Sequence, residues 1–251
     1  MVQTQAGHTF LAELGKKRLR PGGVEATNWL IEQGQFSQEA QVLEVACNMC
    51  TTSIEQVKEY RCHITGIDLD KQALKQAEKN IRKADLSTYI QIVQGNALKL
   101  PFEDASFDIV LNEAMLTMLN DKAKAKALKE YYRVLKPGGQ LLTHDISYMN
   151  RSMEPKLNEL RDTININVAP LQRDDWKKLF LDSGFTEVKS KGGPMSLMSP
   201  VGMLRDEGCW NTGKIIFNGM KKENRTRFKQ MMRFFNKSGK ELDYIAVSSR
   251  K

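Results

Sequence analysis

From about residue 40 to 147 the apolar positions alternate between two rhythms. Short apolar runs at 42–46, 63–67, 90–94 and 107–111 predict buried strands, and a fifth follows at 140–146. Between the second and third, Ala73, Leu74, Ala77, Ile81 and Ala84 fall on one face at helical spacing, which predicts an amphipathic crossover helix over 71–84. Leu128, Tyr131, Tyr132 and Leu135 repeat that spacing, and Lys136-Pro137-Gly138-Gly139 stops the helix, since proline ends it and glycine supplies a left-handed turn. Strands alternating with helices imply parallel strands joined by right-handed crossovers, with helices on both faces of the sheet. The expected architecture is a doubly wound α/β fold, whose ligands bind at the carboxyl ends of the strands where strand order reverses.

Beyond residue 150 the rhythm loosens. Trp176, Leu179 and Phe180 mark a helix over 174–183 closed by Gly184, and 185–189 and 243–249 read as a sixth and a last strand. Residues 192–222, rich in Gly, Met and Ser, read as an inserted loop or lid. Phe228, Met231, Met232 and Phe235 form a helical apolar stripe that we assign to core packing.

Composition narrows the class without changing the fold. With 41% apolar and 27% charged residues, the chain lies in the ordinary globular range. Its start lacks an apolar core long enough for a signal peptide, and no run approaches the ~18 apolar residues of a membrane helix. A cytoplasmic location with no membrane partner is the expectation. The net charge of +8 raises the possibility of an anionic partner such as RNA or a membrane surface. The charge is concentrated in Lys16, Lys17, Arg18 and Arg20 and again over 221–240, without a nucleic-acid module or a stacking motif. We read it as a solvated basic face, which makes a nucleic-acid partner an unfavoured alternative. Cys47 and Cys50 form a Cys-x-x-Cys pair, but neither Cys62 nor Cys209 has a neighbour to complete a zinc site. These cysteines read as reduced thiols lining a loop, and no metal site is expected.

The chemistry concentrates after the first strand. A strand is followed by the turn Ala46-Cys47-Asn48-Met49-Cys50, then a helix, and Asp68 ends the next strand. Strand, tight turn and helix with an acid about 20 residues on is the arrangement that holds an adenosine ribose, the carboxylate accepting from both hydroxyls. The turn lacks the glycines that let a pyrophosphate approach the backbone at a helix N-terminus, so side chains at 46, 48 and 50 argue against a dinucleotide. S-adenosylmethionine carries no phosphate. Small side chains at Ala46 and Cys50 are tolerable beside it, and Asn48 visits the left-handed region readily.

At this point a resemblance becomes specific. Residues 42–50, Val-Leu-Glu-Val-Ala-Cys-Asn-Met-Cys, look like a degenerate form of motif I of class I S-adenosylmethionine-dependent methyltransferases, usually hydrophobic-Leu-Asp/Glu-x-Gly-x-Gly-x-Gly. Four further blocks match in order: Gly66-Ile67-Asp68-Leu69; Gln94-Gly95-Asn96-Ala97 with Leu100-Pro101-Phe102; Ser106-Phe107-Asp108-Ile109-Val110; and Arg133-Val134-Leu135-Lys136-Pro137-Gly138-Gly139. The last two are a common pairing in small-molecule methyltransferases of the quinone-biosynthesis type. The resemblance covers roughly residues 20 to 150. It implies a Rossmann-like, mostly parallel seven-stranded sheet with an antiparallel C-terminal strand. It also implies one methyltransferase domain over 1–251: a helical cap over 1–35, a cofactor-binding core over 36–150, and a C-terminal part over 151–251 with a lid segment at about 192–240. By position, Glu44 and the backbone at Ala46 lie near the cofactor's methionine moiety, and Asp68 holds the ribose. Leu69 packs on the adenine face, Asn96 approaches the adenine amino group with the Ala97 amide at the ring, and Asn112 borders the methionine tail.

Methyl transfer from a sulfonium is an in-line displacement, so alignment and exclusion of water are the enzyme's main tasks. A base is needed only if the acceptor starts protonated. The strand-end candidates are Glu113 and His144, the latter with Asp145. The segment from His8 to Arg20, with the 192–222 insertion, is placed to cover the acceptor and set substrate choice. Asn112-Glu113-Ala114-Met115 stands where amide and adenine-amino methyltransferases carry Asn-Pro-Pro-Tyr, which disfavours base-amino methylation. A small-molecule acceptor is the leading reading. The alternatives are an RNA methyltransferase using the basic surface and a cofactor-binding protein without catalysis.

Overall fold

Strand β1 (Gln41–Val45) is buried on both faces, which is why its apolar run does not alternate. Val42 packs on one side of the sheet with residues of three helices, while Leu43 and Val45 pack on the other. The computed structural model describes residues 6–251. Two N-terminal helices, α1 (Gly7–Glu13) and α2 (Gly23–Gln33), precede β1. There follow α3 (Thr51–Tyr60), β2 (His63–Asp68), α4 (Lys71–Lys83), β3 (Ile90–Gln94), β4 (Phe107–Glu113), α5 (Asp121–Val134) and β5 (Leu135–Tyr148). The C-terminal part adds α6 (Leu157–Ile164), β6 (Leu171–Gln172), α7 (Arg173–Asp182), β7 (Thr186–Pro194), α8 (Pro200–Met220), α9 (Arg225–Asn236) and β8 (Leu242–Arg250).

The strands form one sheet in the order β3-β2-β1-β4-β5-β8-β7. β8 is antiparallel to both of its neighbours, and the pairs among β1 to β5 are parallel. This is the Rossmann-like doubly wound fold expected from the alternation, with one difference: the two-residue β6 pairs with β5 off the main path, so among the described residues the sheet has eight strands rather than seven. Leu74, Ala77 and Ile81 of α4 and Ala26 and Leu30 of α2 cover one face, and Leu128 and Tyr131 of α5 with Trp176 and Phe180 of α7 cover the other. Strand order reverses between β1 and β4, so their carboxyl ends open a crevice.

The segment 192–222 is not a loop. β7 runs on to Pro194, and α8 starts at Pro200, where proline costs no hydrogen bond and the Ser199 hydroxyl caps the Gly202 N–H at 2.9 Å. Glycine marks packing and a kink here, not a flexible chain. A Cβ on Gly219 would lie 2.5 Å from the Phe228 ring, and Gly208, at φ +75°, breaks α8 into two halves. The stripe on α9 packs as expected, with Phe228 and Met231 buried against Ile215 of α8 and Phe10, Leu11 and Leu14 of the N-terminal segment.

Candidate functional site

The turn after β1 takes a backbone path that suits glycine, without using it. Ala46, Asn48 and Cys50 all have positive φ, at +56°, +48° and +55°, at the three positions where motif I carries glycine. Beneath the turn the Cys47 and Cys50 thiols pack against β2, where a Cβ on Gly66 would meet them at 2.9 and 3.1 Å. Cys47 shares a hydrogen bond with Cys50, and that contact together with burial pushes its thiol far up, so it is inert at neutral pH. The turn holds Asp68 in place. Its Oδ2 accepts the Asn48 N–H and its Oδ1 the Asp70 N–H, both at 2.9 Å, leaving lone pairs for a diol. The N-cap of α4 is Asp70, which accepts the Gln72 N–H at 2.7 Å, so Asp68 is not needed for that role.

Above these strand ends lies a cavity of about 420 Å³. Of the residues expected at a cofactor, Glu44, Ala46, Asn48, Asp68, Leu69, Asn96 and Ala97 line it. Leu69 is 63% exposed, an apolar side chain held at the rim. Asn96 turns its Oδ1 onto the Leu98 N–H at 2.9 Å, an Asx turn that shapes the loop after β3. Asn112 is not brought into the cavity: it is fully buried and donates through Nδ2 to the Val45 carbonyl at 3.0 Å, tying β4 to β1. Glu44 accepts from both the backbone N–H and the hydroxyl of Ser53 at the start of α3. Burial pushes its carboxyl up to about 7 against those hydrogen bonds.

The lining carries Glu44, Asp68, Asp70 and Glu113 against Lys17 and Arg20. An excess of carboxylates fits a ligand with a sulfonium and an ammonium group and repels a diphosphate. The residues present therefore suit S-adenosylmethionine and not a dinucleotide.

At the inner end a buried polar network fastens the N-terminal segment to the sheet. Arg20 pairs with Glu113 at 3.3 Å and donates to the hydroxyls of Thr27 and Thr52. Both threonines donate in turn to Glu113, at 2.6 and 3.2 Å. His144 lies opposite Glu113 in the β4–β5 register, so their side chains share a face. Its Nε2 accepts the Gly22 N–H at 2.9 Å, which places the ring proton on Nδ1, 3.1 Å from Glu113.

In this geometry Glu113 and His144, the strand-end candidates for a base, are both fully engaged. Burial alone would raise the Glu113 carboxyl, but Arg20 and His144 outweigh it and bring it to about 2, with each oxygen doubly engaged. Burial lowers the His144 imidazole despite Glu113, and both ring nitrogens are committed. Asp145, on the opposite face, accepts from the N–H and hydroxyl of Thr117, and burial pushes it up to about 7. Neither His144 nor Asp145 reaches the cavity lining.

Sequence reasoning missed Arg20 and its threonines. The run Lys16 to Arg20 looked like a solvated basic face, and the structure overturns that reading for all but Lys17, which is exposed. Lys16 is buried in an ion pair with Glu207, Arg18 pairs with Glu55, and Arg20 is buried as described. The signal available was its place beside Pro21-Gly22-Gly23, where Gly23 has φ +58° and a Cβ would collide with Asp206.

A second, apolar chamber adjoins the first. It shares His8, Leu19, Ala114 and Met118 with the cavity, and Leu11, Ile164, Met231 and Phe235 are among its walls. His8 lies at the junction, with Nδ1 buried and, among the described residues, unpartnered. Burial lowers its imidazole despite Asp68 and Asp70, so it is neutral at pH 7.

Known proteins share these features. The methyltransferase domain family, as a sequence profile, matches residues 43–143. An uncharacterized protein of Haemophilus influenzae is 53% identical over the whole length of both chains. A demethylmenaquinone methyltransferase of Listeria welshimeri is 40% identical over 111 residues, 43% of this chain and 46% of that one, so the match spans about half of that relative's length. Among solved structures, phosphoethanolamine N-methyltransferase 2 of Haemonchus contortus, bound to phosphomonomethylethanolamine and S-adenosylhomocysteine, superposes with a TM-score of 0.77 at 18% identity, covering 99% of this chain and 59% of that one. At that identity the superposition speaks for the fold. The matched profile, the order of strands and the acidic cavity at their carboxyl ends agree, and residues 43–143 form a methyltransferase domain of the class I S-adenosylmethionine-dependent type.

Proposed function

We propose that the protein transfers the methyl group of S-adenosylmethionine by in-line displacement to a small molecule with an apolar body. The observation that carries this reading is the junction of two differently lined spaces: an acidic cofactor cavity and, beyond His8, Leu19 and Met118, a chamber of aliphatic, Met and Phe side chains. The bound cofactor supplies an electrophile that is already activated. The chain's own residues supply alignment and dryness, effects worth up to ~7–11 kcal/mol in well-oriented reactions. Asp68 and the turn at 46–50 orient the adenosine end. Glu44 and the ionised Glu113 face the cationic end.

His8 replaces His144 as the group to hold an acceptor proton, because its Nδ1 is free where the two spaces meet. The apolar chamber, at about 60 Å³, holds only an apolar substituent, so a quinone-like ring, of the kind named for the Listeria relative, would lie at its junction with the larger cavity. A polyanion does not suit a chamber whose walls, among the described residues, carry no Lys or Arg. The test uses cofactor carrying a labelled methyl group, incubated with the protein, total RNA and a small-molecule cell extract. Label is expected in the organic phase, and label in the RNA fraction would favour the RNA reading instead.

A further inference from the structure

The outward face of the second half of α8 is apolar. Trp210 is 94% and Phe217 70% exposed, and Ile216 and Met220 are each 42% exposed. Trp210, Gly213 and Phe217 recur at i, i+3 and i+7, and Cys209, Gly213, Ile216 and Met220 at i, i+4, i+7 and i+11, so these positions form one stripe about three turns long. Its opposite face is committed to the fold: Thr212, Ile215 and Gly219 are buried. Asn211 and Asn218 clamp the helix down, donating to the carbonyls of Gly15 and Leu14 at 3.0 Å. The helix cannot roll its stripe inward without breaking both clamps.

The charge along the stripe is basic, with Glu223 the first acid beyond its end. From residue 208 to 222 the sequence has no acidic residue and three lysines, Lys214, Lys221 and Lys222, all exposed. Lys221 Nζ lies 5.6 Å from the centre of the Phe217 ring, so the cation borders the apolar surface. The next helix exposes Arg225, Lys229 and Arg233 at i, i+4 and i+8.

We infer that this face docks the protein on an anionic phospholipid surface. Tryptophan and phenylalanine on one stripe with lysines at its margins is the chemistry of a helix that lies in the headgroup region, where apolar side chains enter the acyl boundary and lysines meet phosphates. A second copy of the chain is the poorer occupant. A two-fold contact through the stripe would gather Lys214 and Lys221 of both copies at one contact, between chains that each carry +8. This surface site is separate from the cofactor cavity and does not depend on the acceptor proposed above.

The experiment is co-flotation of the full chain with phosphatidylcholine vesicles, with and without phosphatidylglycerol, at low and high salt. The expected result is binding to the anionic vesicles that weakens with salt, accompanied by a blue shift of tryptophan emission, because Trp210 is far more exposed than Trp29 or Trp176. Trp210→Ser with Phe217→Ser should lower vesicle affinity by roughly tenfold or more, with unchanged circular dichroism and unchanged binding of S-adenosylmethionine. Lys221→Glu with Lys222→Glu should remove the preference for phosphatidylglycerol. Absence of vesicle binding would overturn the inference, as would a concentration-dependent dimer or an RNA complex that the double serine variant abolishes.

Discussion

Glu113 illustrates how a single residue's burial decides its chemistry. Its carboxylate lies at the cavity floor, where a base would be useful, yet Arg20, Thr27, Thr52 and His144 all point donors at it. An ion pair this buried is costly to break from one side, because the remaining charge has no solvent to turn to. Arg20→Met should therefore destabilise the fold by about 3–5 kcal/mol. Arg20→Met combined with Glu113→Gln should recover much of that loss, and a thermodynamic cycle from denaturant melts would measure the coupling. The pair also sets an acid limb. Glu113 titrates near 2 in the folded chain and near the ordinary 4.5 when unfolded, so its stabilisation is present above 4.5 and is lost as pH falls from there towards 2. In the Arg20→Met variant that limb should flatten; an unchanged limb would mean that Arg20 does not hold the carboxylate.

At the scale of elements the turn at 46–50 is the telling case. Its three left-handed residues are Ala, Asn and Cys, and a non-glycine residue in that region costs roughly 1–2 kcal/mol, less for Asn. Glycine gains conformational freedom in the unfolded chain worth about 0.5–1 kcal/mol, which offsets part of the relief. Ala46→Gly should thus stabilise the protein slightly, raising its melting temperature by about 2 °C in calorimetry. A lower melting temperature would show that the Ala46 methyl makes packing contacts worth more than the backbone strain.

The same scale shows what was legible in the chain. β3 and the α4 stripe lie where the apolar rhythm puts them, because each buries residues of its own segment. The reading of 192–222 failed because its glycines answer to distant partners: Gly219 makes room for Phe228, and Gly202 for Ser196. Local propensity carries no information about such contacts. The cavity-lining residues after β1, β2 and β3 were legible for a related reason, since each follows the end of a predicted strand. Asn112 ties β4 to β1 instead of lining the cavity, a contact between strands that spacing does not reveal, and Arg20 was invisible because its partners lie on β4 and α3.

For the molecule as a whole, the charge is divided by sign and place. Three basic residues of the N-terminal run are paired, Lys16 with Glu207, Arg18 with Glu55 and Arg20 with Glu113, while Lys17 stays exposed. Those of 221–240 remain on the surface beside the apolar stripe of α8. The cofactor cavity keeps the opposite sign, with Glu44, Asp68, Asp70 and Glu113 on its walls. A cationic, phosphate-free adenosine ligand follows from that arrangement. Titration calorimetry on the wild-type chain and Asp68→Ala tests it most directly. S-adenosylmethionine and S-adenosylhomocysteine should bind and NAD should not, and the variant should lose roughly 1.5–3 kcal/mol of affinity, the scale of hydrogen bonds to a charged group. Binding of NAD in preference to the sulfonium, or equal affinity in the variant, would contradict the account.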